Sequence, residues 1–427
     1  MSDRDVEKKT EEIIHELDAV LPGEFDRRKF LTGSAGLMGS MMLAGCSGGD
    51  GGDGDDGGDG SDGDDGSDGA DGSDGNGSDQ GFLDETEAVF TTPWKKEPSW
   101  GHAHVAEGKG YWEDAGLPNI DGVAGNGSDT ESQNIGVGNK PMGIASLTTA
   151  VGFLPETEDT EQLNMTMMGL ARARPLLSFI WRKDMIESRS DIAGKDILLS
   201  SGFAAASWPV YPELAGVDQS EVNTKAAGEN VSAAQLASGE VQGIWGSIDL
   251  LPDYQEQVDA ELGVAPLTAF GPFYGFPLWV NDSWFENKEN NVEFMAQVMT
   301  GYFKAMKWGL LNQDAYLDFL KNEVNTNLQT WTEDELKGQH SVNCAQAVSL
   351  DMKEEGLGYF TQEGMQFTLD NAGPALTDEE LRPASELVDT RAWEQSEKVT
   401  FSDDEWDQLA ETAGFVWDLF EEAEAGN

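Results

Sequence analysis

The chain has 427 residues, with 80 aspartates and glutamates against 26 lysines and arginines, for a formal net charge of -54 at pH 7. Single hydrophobic cores stop growing at about 250 to 300 residues, so more than one domain is expected. The hydrophobic fraction of 38% and the 13 tryptophans exclude a disordered acidic polymer. The shortage of basic residues excludes nucleic acid as a partner, and also electrostatic binding to anionic lipid.

The acidic excess predicts a protein that works in molar salt. Salt at about 1 M shortens the Debye length to about 3 Å, so a folded body can carry this charge without strong self-repulsion. We therefore interpret the chain as that of an extreme halophile. The alternative is an acidic protein in ordinary salt that binds cations.

Residues 1–46 contain the features of an export signal. Arg27 and Arg28 precede a glycine-diluted apolar stretch that ends at Leu43-Ala44-Gly45-Cys46. This order predicts a twin-arginine signal with a lipobox, in which the thiol of Cys46 is acylated. At about 14 residues the stretch is shorter than the roughly 20 residues of a spanning helix. The alternatives are an ordinary basic helix with a loop cysteine, and a true start downstream of the acidic leader.

Residues 47–81 are almost entirely glycine, aspartate and serine. These side chains bury no apolar surface and cannot offset the entropy of ordering, so the segment predicts a flexible tether. Its typical span is about 30 to 35 Å, on the scaling for glycine-rich linkers. A calcium-binding repeat is the alternative, but the segment has no regular nonapeptide and no glutamate at loop position twelve.

Apolar strands and amphipathic segments alternate from residue 82 onward. The predicted strands are 87–91, 141–146, 165–170, 175–183, 195–200, 241–245 and 272–280. The predicted helices are 102–115, one that starts at 148, 204–214, 231–238, 289–309 and 315–322. This alternation predicts two α/β units, each with a doubly wound sheet. The near-continuous apolar runs by Pro175 and Pro272 suit strands buried on both faces of a parallel sheet, and mark two crossings between lobes.

The predicted crossings divide the body into two lobes and an extension. The first lobe comprises 82–177 and 273–325, and the second comprises 178–272. Residues 326–427 form a C-terminal helical extension, whose acidic helices are expected to pack on the first lobe. Cys344 is expected to be a buried free thiol, because acylation of Cys46 leaves it no partner for a disulfide.

Four motifs in order resemble a known family. Residues 100–112 read WGHAHVAEGKGYW and are followed by Ala-Gly-Leu at 115–117. Residues 142–146 read MGIAS, residues 191–195 read DIAGK, and residues 273–281 read FYGFPLWVN. This pattern resembles the periplasmic binding proteins of the nitrate, taurine, sulfonate and thiamine-pyrimidine type, including the thiamine-pyrimidine synthase-like branch, in a halophilic archaeal form.

The resemblance implies a two-lobed periplasmic-binding-protein type II fold, with each lobe a doubly wound sheet and with extra C-terminal helices. It implies an ABC importer's solute-binding lipoprotein, held on the outer face of the cytoplasmic membrane, with permease and ATPase subunits as partners and no cofactor. The aromatic residues favour a flat ligand such as a thiamine-precursor pyrimidine. Nitrate, taurine or another sulfonate is the alternative ligand.

Ligand-facing residues are expected just after strands, where the carboxyl ends of two facing sheets form a crevice. The candidates are Trp100, His102, Ser146, Thr148, Phe203, Ser207, Trp245, Ser247, Asp249 and Tyr274. Each has a purely structural alternative role, since the aromatic residues can pack a core and the serines can cap helices. Arg172 and Arg174 are second-rank candidates for an anionic ligand, because arginines in such a chain readily pair with surface carboxylates.

An enzyme related to thiamine-pyrimidine synthase is the rival class. The pair His102 and His104 could hold a metal or serve pyridoxal-phosphate chemistry. However, the chain has four histidines, no Cys-x-x-Cys motif and no Gly-x-Ser-x-Gly elbow. The sequence therefore favours a protein that binds over one that reacts, with no catalytic residue and no metal.

Overall fold

The computed structural model describes residues 88–155, 163–227, 229–285 and 289–425. Within these ranges the strands form two five-stranded sheets. The predicted signal and tether, with Arg27, Arg28 and Cys46, lie outside the described residues.

The first sheet has the order β2-β1-β3-β10-β4. Its strands are β1 (Ala88–Thr92), β2 (Ile120–Ala124), β3 (Met142–Ile144), β4 (Met165–Arg172) and β10 (Phe276–Asn281). β1 pairs in parallel with β2 and β3, whereas β10 pairs antiparallel with both β3 and β4.

The second sheet has the order β7-β6-β8-β5-β9 and repeats the same plan. Its strands are β5 (Leu177–Arg182), β6 (Asp196–Leu199), β7 (Asn223–Ala226), β8 (Gly243–Ser247) and β9 (Leu262–Pro266). β6 pairs in parallel with β7 and β8, and β5 pairs antiparallel with β8 and β9. In each sheet, therefore, one antiparallel strand stands next to the edge.

The two apolar runs that the sequence marks become β5 and β10, and both are antiparallel to their neighbours. The expectation that these two runs are strands of a parallel sheet was wrong in their direction, although both are buried. A strand that has just crossed from the other lobe enters its sheet from the interlobe side. It therefore runs against the strands whose carboxyl ends face that side.

Two short crossings connect the sheets, at residues 173–176 and 271–275. They lie side by side, since the Gly275 amide donates to the Ala173 carbonyl at 3.0 Å. A Cβ on Gly275 would lie 2.4 Å from the Arg174 carbonyl oxygen, so this close approach requires glycine.

Helices flank both sheets. Around the first sheet lie α1 (His102–Gly108), α2 (Tyr111–Asp114), α3 (Ser128–Gly136), α4 (Leu147–Val151), α9 (Asp282–Phe285), α10 (Glu289–Leu311) and α11 (Gln313–Phe319). Around the second lie α5 (Gly202–Ser207), α6 (Val210–Ala215), α7 (Glu229–Ser238) and α8 (Leu251–Gln257). The helix expected over 102–115 is two helices, because Gly110 between them has φ +77°. The helix expected over 204–214 is likewise interrupted, and Pro209 lies at the break.

The extra C-terminal helices are present. They are α12 (Glu333–Ala347), α13 (Leu350–Glu355), α14 (Gln362–Leu376), α15 (Ala384–Leu387), α16 (Arg391–Gln395), α17 (Asp403–Ala413) and α18 (Phe415–Ala425). They contact the first lobe, as expected, and also the second. α14 packs against α4 of the first lobe and α6 of the second, and α18 packs against β9. The extension therefore bridges the lobes.

The matched sheet orders and the paired crossings define the two-lobed α/β fold of type II periplasmic binding proteins, as the sequence predicts. Along the described residues, no helix combines the length and the apolar character that crossing a bilayer requires.

Candidate functional site

The junction between the lobes brings together the carboxyl ends of strands from both sheets. From the first lobe come the segments after β1, β3 and β4, and from the second come those after β6 and β8. The two lobes touch there, since α4 contacts α5. The predicted site residues fall into groups within and around this junction.

The first group surrounds Arg172, the last residue of β4. Its guanidinium carbon lies 3.8 Å from the centroid of the Trp100 ring, which is a cation–π contact. Trp100 in turn meets Phe276 edge to face, with ring centroids 4.8 Å apart. Trp100 therefore lies at the junction, and the arginine covers one face of its ring.

The charge of Arg172 is buried and has amide partners. The side chain donates to Asn343 Oδ1 at 2.8 Å and to Gln346 Oε1 at 3.0 Å, and the residue is 1% exposed. Among the described residues, no carboxylate oxygen lies within 4.0 Å of it. Burial lowers its pKa to about 10, which still leaves the group charged at neutral pH. A buried cation whose partners are neutral keeps a positive potential around it.

His102 joins this group as a neutral ring. Its Nε2 accepts a hydrogen bond from Asn343 Nδ2 at 3.0 Å, and the ring stacks on Tyr316. Burial lowers the pKa of His102 well below its usual range, and the proximity of Arg172 and His340 lowers it further. The proton of the neutral ring is therefore on Nδ1, because Nε2 is the acceptor.

Asp249 brings a carboxylate from the second lobe to the junction. Its Oδ1 is buried, and burial raises the pKa of this carboxyl group. The Ser247 side chain and the positive charge of Arg172 act in the opposite direction and lower that pKa. Asp249 and Ser247 thus belong to the same electrostatic environment as Arg172, although they come from the opposite lobe.

A second group lies where α4 meets α5. Ser146 Oγ and Thr148 Oγ1 are 3.0 Å apart at the start of α4, and both residues are buried. Phe203 lies on α5 across the junction and is half-buried. These three residues are therefore placed between the lobes.

Two further candidates lie inside the second lobe. Trp245 Nε1 donates to Ser207 Oγ at 3.1 Å, and the Trp245 ring lies 5.0 Å from that of Tyr211. Trp245 is 0% exposed and belongs to the core of the second sheet. A structural role describes this pair well, since the indole N–H and the hydroxyl oxygen form a hydrogen bond with each other.

Tyr274 lies in the return crossing and binds the extension. Its hydroxyl accepts from the Thr361 amide at 2.8 Å, and its own amide donates to Thr368 Oγ1 at 3.1 Å. Arg174, in the outgoing crossing, is paired through two hydrogen bonds of 2.6 and 2.8 Å with Glu424. Arg174 is thus committed to a protein carboxylate, in contrast to Arg172.

Asn343 and Gln346 are the residues at this site that sequence reasoning missed. Both lie on α12, more than 170 positions after Arg172 in the chain. Their spacing of three places them on one helix face, which is the only local signal for a shared role.

The histidine pair considered for metal binding is buried. The pKa of His104 is lowered to about 4, chiefly by burial. No cluster of three or more His, Cys, Asp or Glu side chains suited to a metal ion occurs among the described residues. Cys344 is a buried free thiol, as expected, and burial raises its pKa.

The chain is similar to one protein family in sequence and to several solved structures in fold. Residues 98–308, just under half of the chain, match the model of the family described as NMT1/THI5 like. The alkanesulfonate-binding protein SsuA from Xanthomonas axonopodis pv. citri bound to MOPS is 13% identical, with 71% of this chain and 99% of that one covered at a TM-score of 0.49. No curated protein matches the chain in sequence.

Two further solved structures are similar to the chain. The periplasmic nitrate-binding protein NrtA from Synechocystis PCC 6803 is 8% identical, with 78% of this chain and 91% of that one covered at a TM-score of 0.49. The desulfurization enzyme DSZB is 12% identical, with 72% and 99% covered at a TM-score of 0.44. At this level of identity the similarities concern the fold alone.

Proposed function

We propose that this protein is the extracytoplasmic solute-binding component of an ABC importer, and that it captures a small solute between its two lobes. The observation that carries the proposal is the junction itself: two sheets of matching order, joined by two crossings, with a buried arginine between them that has no carboxylate partner among the described residues. The match of residues 98–308 to the NMT1/THI5-like family supports it.

The ligand that we favour is a thiamine-precursor pyrimidine, with nitrate, taurine or another sulfonate as the alternative. Trp100 and Tyr274 offer aromatic surface for a flat ring. Arg172 and the hydroxyl groups of Ser146 and Thr148 offer donors that an oxyanion would need. Both chemistries are available at the junction, so a direct binding test must choose between them.

A thermal-shift series tests this function. The purified protein, in about 2 M KCl, is melted alone and with hydroxymethylpyrimidine, taurine, an alkanesulfonate or nitrate. A ligand present at 100 times its dissociation constant stabilises the folded state by about 2.7 kcal/mol, so one member should raise the melting temperature by several degrees. If none does, the ligand classes proposed are wrong. The halophilic assignment further predicts a lower melting temperature for the protein alone in 0.1 M KCl.

Binding without catalysis is the role that we propose for the site. The rival enzyme depends on His102 and His104, both buried in the first lobe. His102 is held by Asn343 and stacked on Tyr316, so as a base or ligand it would have to break this packing. A chelator should therefore leave the melting temperature of the protein unchanged, whereas a metal enzyme would lose stability.

We place the protein on the outer face of the cytoplasmic membrane, exported by the twin-arginine route, acylated at Cys46, and docking on a permease with its ATPase. Expression of the full chain and of the Cys46→Ala variant in a haloarchaeal host tests this. The wild type should sediment with membranes, and the variant should appear in the soluble or secreted fraction. A variant that still sediments with membranes would contradict the anchor. Replacing Arg27 and Arg28 by lysine should leave the protein inside the cell.

A further inference from the structure

The side chain of Gln346 on α12 points one polar atom at Arg172 and leaves the other without a partner. Its Oε1 accepts from Arg172 Nη1 at 3.0 Å. This orientation of the amide is fixed, because a guanidinium can only donate hydrogen bonds. The Nε2 atom is buried without a hydrogen-bond partner among the described residues, and Gln346 is 0% exposed. Gln346 therefore holds an unused donor inside the protein, next to a buried cation.

Asn343, the other amide on Arg172, is different. Its Oδ1 accepts from Arg172, as that of Gln346 does, but its Nδ2 donates to His102 Nε2 at 3.0 Å. The hydrogen-bonding capacity of Asn343 is thus used within the protein. Contacts within the protein use both the oxygen and the nitrogen of the Asn343 amide. In Gln346 they use the oxygen, and the Nε2 donor has no role in supporting Arg172.

The helix that carries Gln346 reaches both lobes. α12 contacts β4 and α10 of the first lobe, and it contacts the turn Ile248–Leu250 of the second. This turn contains Asp249, whose carboxyl group is close enough for the charge of Arg172 to lower its pKa. The unpaired donor of Gln346 is therefore at the junction where the first lobe, the second lobe and the extension meet.

We infer that the C-terminal extension completes the solute site, and that Gln346 is a specificity-determining residue whose Nε2 donates to an oxygen atom of the bound solute beside Arg172. This inference rests on the proposed function, because it requires a solute between the lobes. The recognised chemistry is an oxygen acceptor, and the charge of Arg172 favours one that carries negative charge. A residue outside both sheets thereby becomes part of the binding surface.

The Gln346→Glu variant separates this role from support of Arg172. Glutamate keeps an oxygen acceptor for the guanidinium and replaces the donor by a second acceptor. If Gln346 only held Arg172, the variant would bind the uncharged probe hydroxymethylpyrimidine as the wild type does. Anionic probes do not enter this comparison, because the new carboxylate beside Arg172 weakens their binding whichever role Gln346 has. If Gln346 donates to the solute, replacing its donor by an acceptor should weaken binding at least tenfold. Gln362→Glu is the control, since it makes the same change at an exposed position on another helix of the extension.

The measurement is titration calorimetry on the full chain in about 2 M KCl, with the same probes: hydroxymethylpyrimidine, taurine, an alkanesulfonate and nitrate. The inference is supported if hydroxymethylpyrimidine binds the wild type and Gln362→Glu equally and binds Gln346→Glu at least tenfold more weakly. Binding to Gln346→Glu within twofold of the wild type would overturn it and leave the proposed function intact. If no probe binds the wild type, the proposed function fails, and the inference fails with it.

A second variant keeps the test decisive if Gln346→Glu does not fold, or if the wild type binds an anionic probe alone. Gln346→Met has a similar length and no polar atom, so it removes the donor without adding a charge. Its melting temperature without solute reports the structural cost of losing the Arg172 contact. An affinity loss of tenfold or more in folded Gln346→Met supports the inference, and an affinity within twofold of the wild type overturns it.

Discussion

Replacing Glu424 by leucine is expected to lower the free energy of unfolding by about 3 kcal/mol, because the change leaves a buried guanidinium without its carboxylate. Arg174 donates to both carboxylate oxygens of Glu424, and its side chain is 2% exposed while that of Glu424 is 27% exposed. Its guanidinium also donates to the Ala345 carbonyl at 2.7 Å and lies 4.9 Å from the centroid of the Phe420 ring. Urea unfolding at constant molar salt measures the change.

The matched control is Glu261→Leu. Glu261 and Lys183 have the same nitrogen–oxygen distance of 2.6 Å, but their side chains are 76% and 48% exposed. An exposed pair contributes less than about 1 kcal/mol, so this variant should remain close to the wild type. Equal losses in the two variants would show that burial of Arg174 does not determine the energy. Adding Arg174→Leu to Glu424→Leu should recover part of the loss, since it removes the unpaired charge.

The pair between Arg174 and Glu424 is one of several contacts between the extension and the crossings. The amide of Arg174 donates to the Gln346 carbonyl at 3.0 Å, and Tyr274 in the other crossing is bonded to Thr361 and Thr368. A hinge motion about residues 173–176 and 271–275 must either break these bonds or carry the extension with it. The extension is thus mechanically linked to any opening of the lobes.

The sequence predicts the strands whose side chains are buried, β4 at a sheet edge among them, and misses the other edge strands of the two described sheets, β2, β7 and β9. β4, β5 and β10 are almost wholly buried, and their apolar runs stand out in the sequence. β7 has four exposed residues, Asn-Thr-Lys-Ala, with no apolar alternation to detect. It forms because β6 offers a row of backbone groups in parallel, which is a tertiary cause that a local pattern does not record.

The residues of the candidate site also divide into those that the sequence predicts and those that it misses. Trp100 and His102 were predicted because they follow β1, and the position after a strand is a topological property. Asn343 and Gln346 follow no strand. Their contact with Arg172 depends on how α12 packs across the lobes, and hydrophobic periodicity does not specify a partner. The capping box of Thr332 and Glu335 could have predicted where α12 begins, although not what it touches.

His340 should make the protein sensitive to acid. Its Nε2 lies 2.9 Å from the Gly309 carbonyl, so the neutral ring carries its proton on Nε2, and its Nδ1 accepts from Gln313 at 3.1 Å. Burial lowers the pKa of His340 from 6.5 to about 4. Between these two pH values the unfolded chain binds more protons than the folded one, so stability falls as the pH is lowered from about 6.5 to about 4.

The His340→Gln variant isolates this contribution, because glutamine can replace both hydrogen bonds and does not titrate. Near pH 7.5, where the histidine is neutral in both states, the stability of the variant relative to the wild type reflects packing alone. As the pH is lowered from 7.5 to 4, the stability of the variant relative to the wild type should rise by about 3 kcal/mol, at 1.36 kcal/mol for each unit of pKa shift. Carboxylates titrate equally in both proteins and cancel in the difference, which urea unfolding at a series of pH values measures. A difference that stays constant across this range would mean that the folded protein protonates His340 as readily as the unfolded chain does, and that the packing of α12 against Gly309 is looser than described.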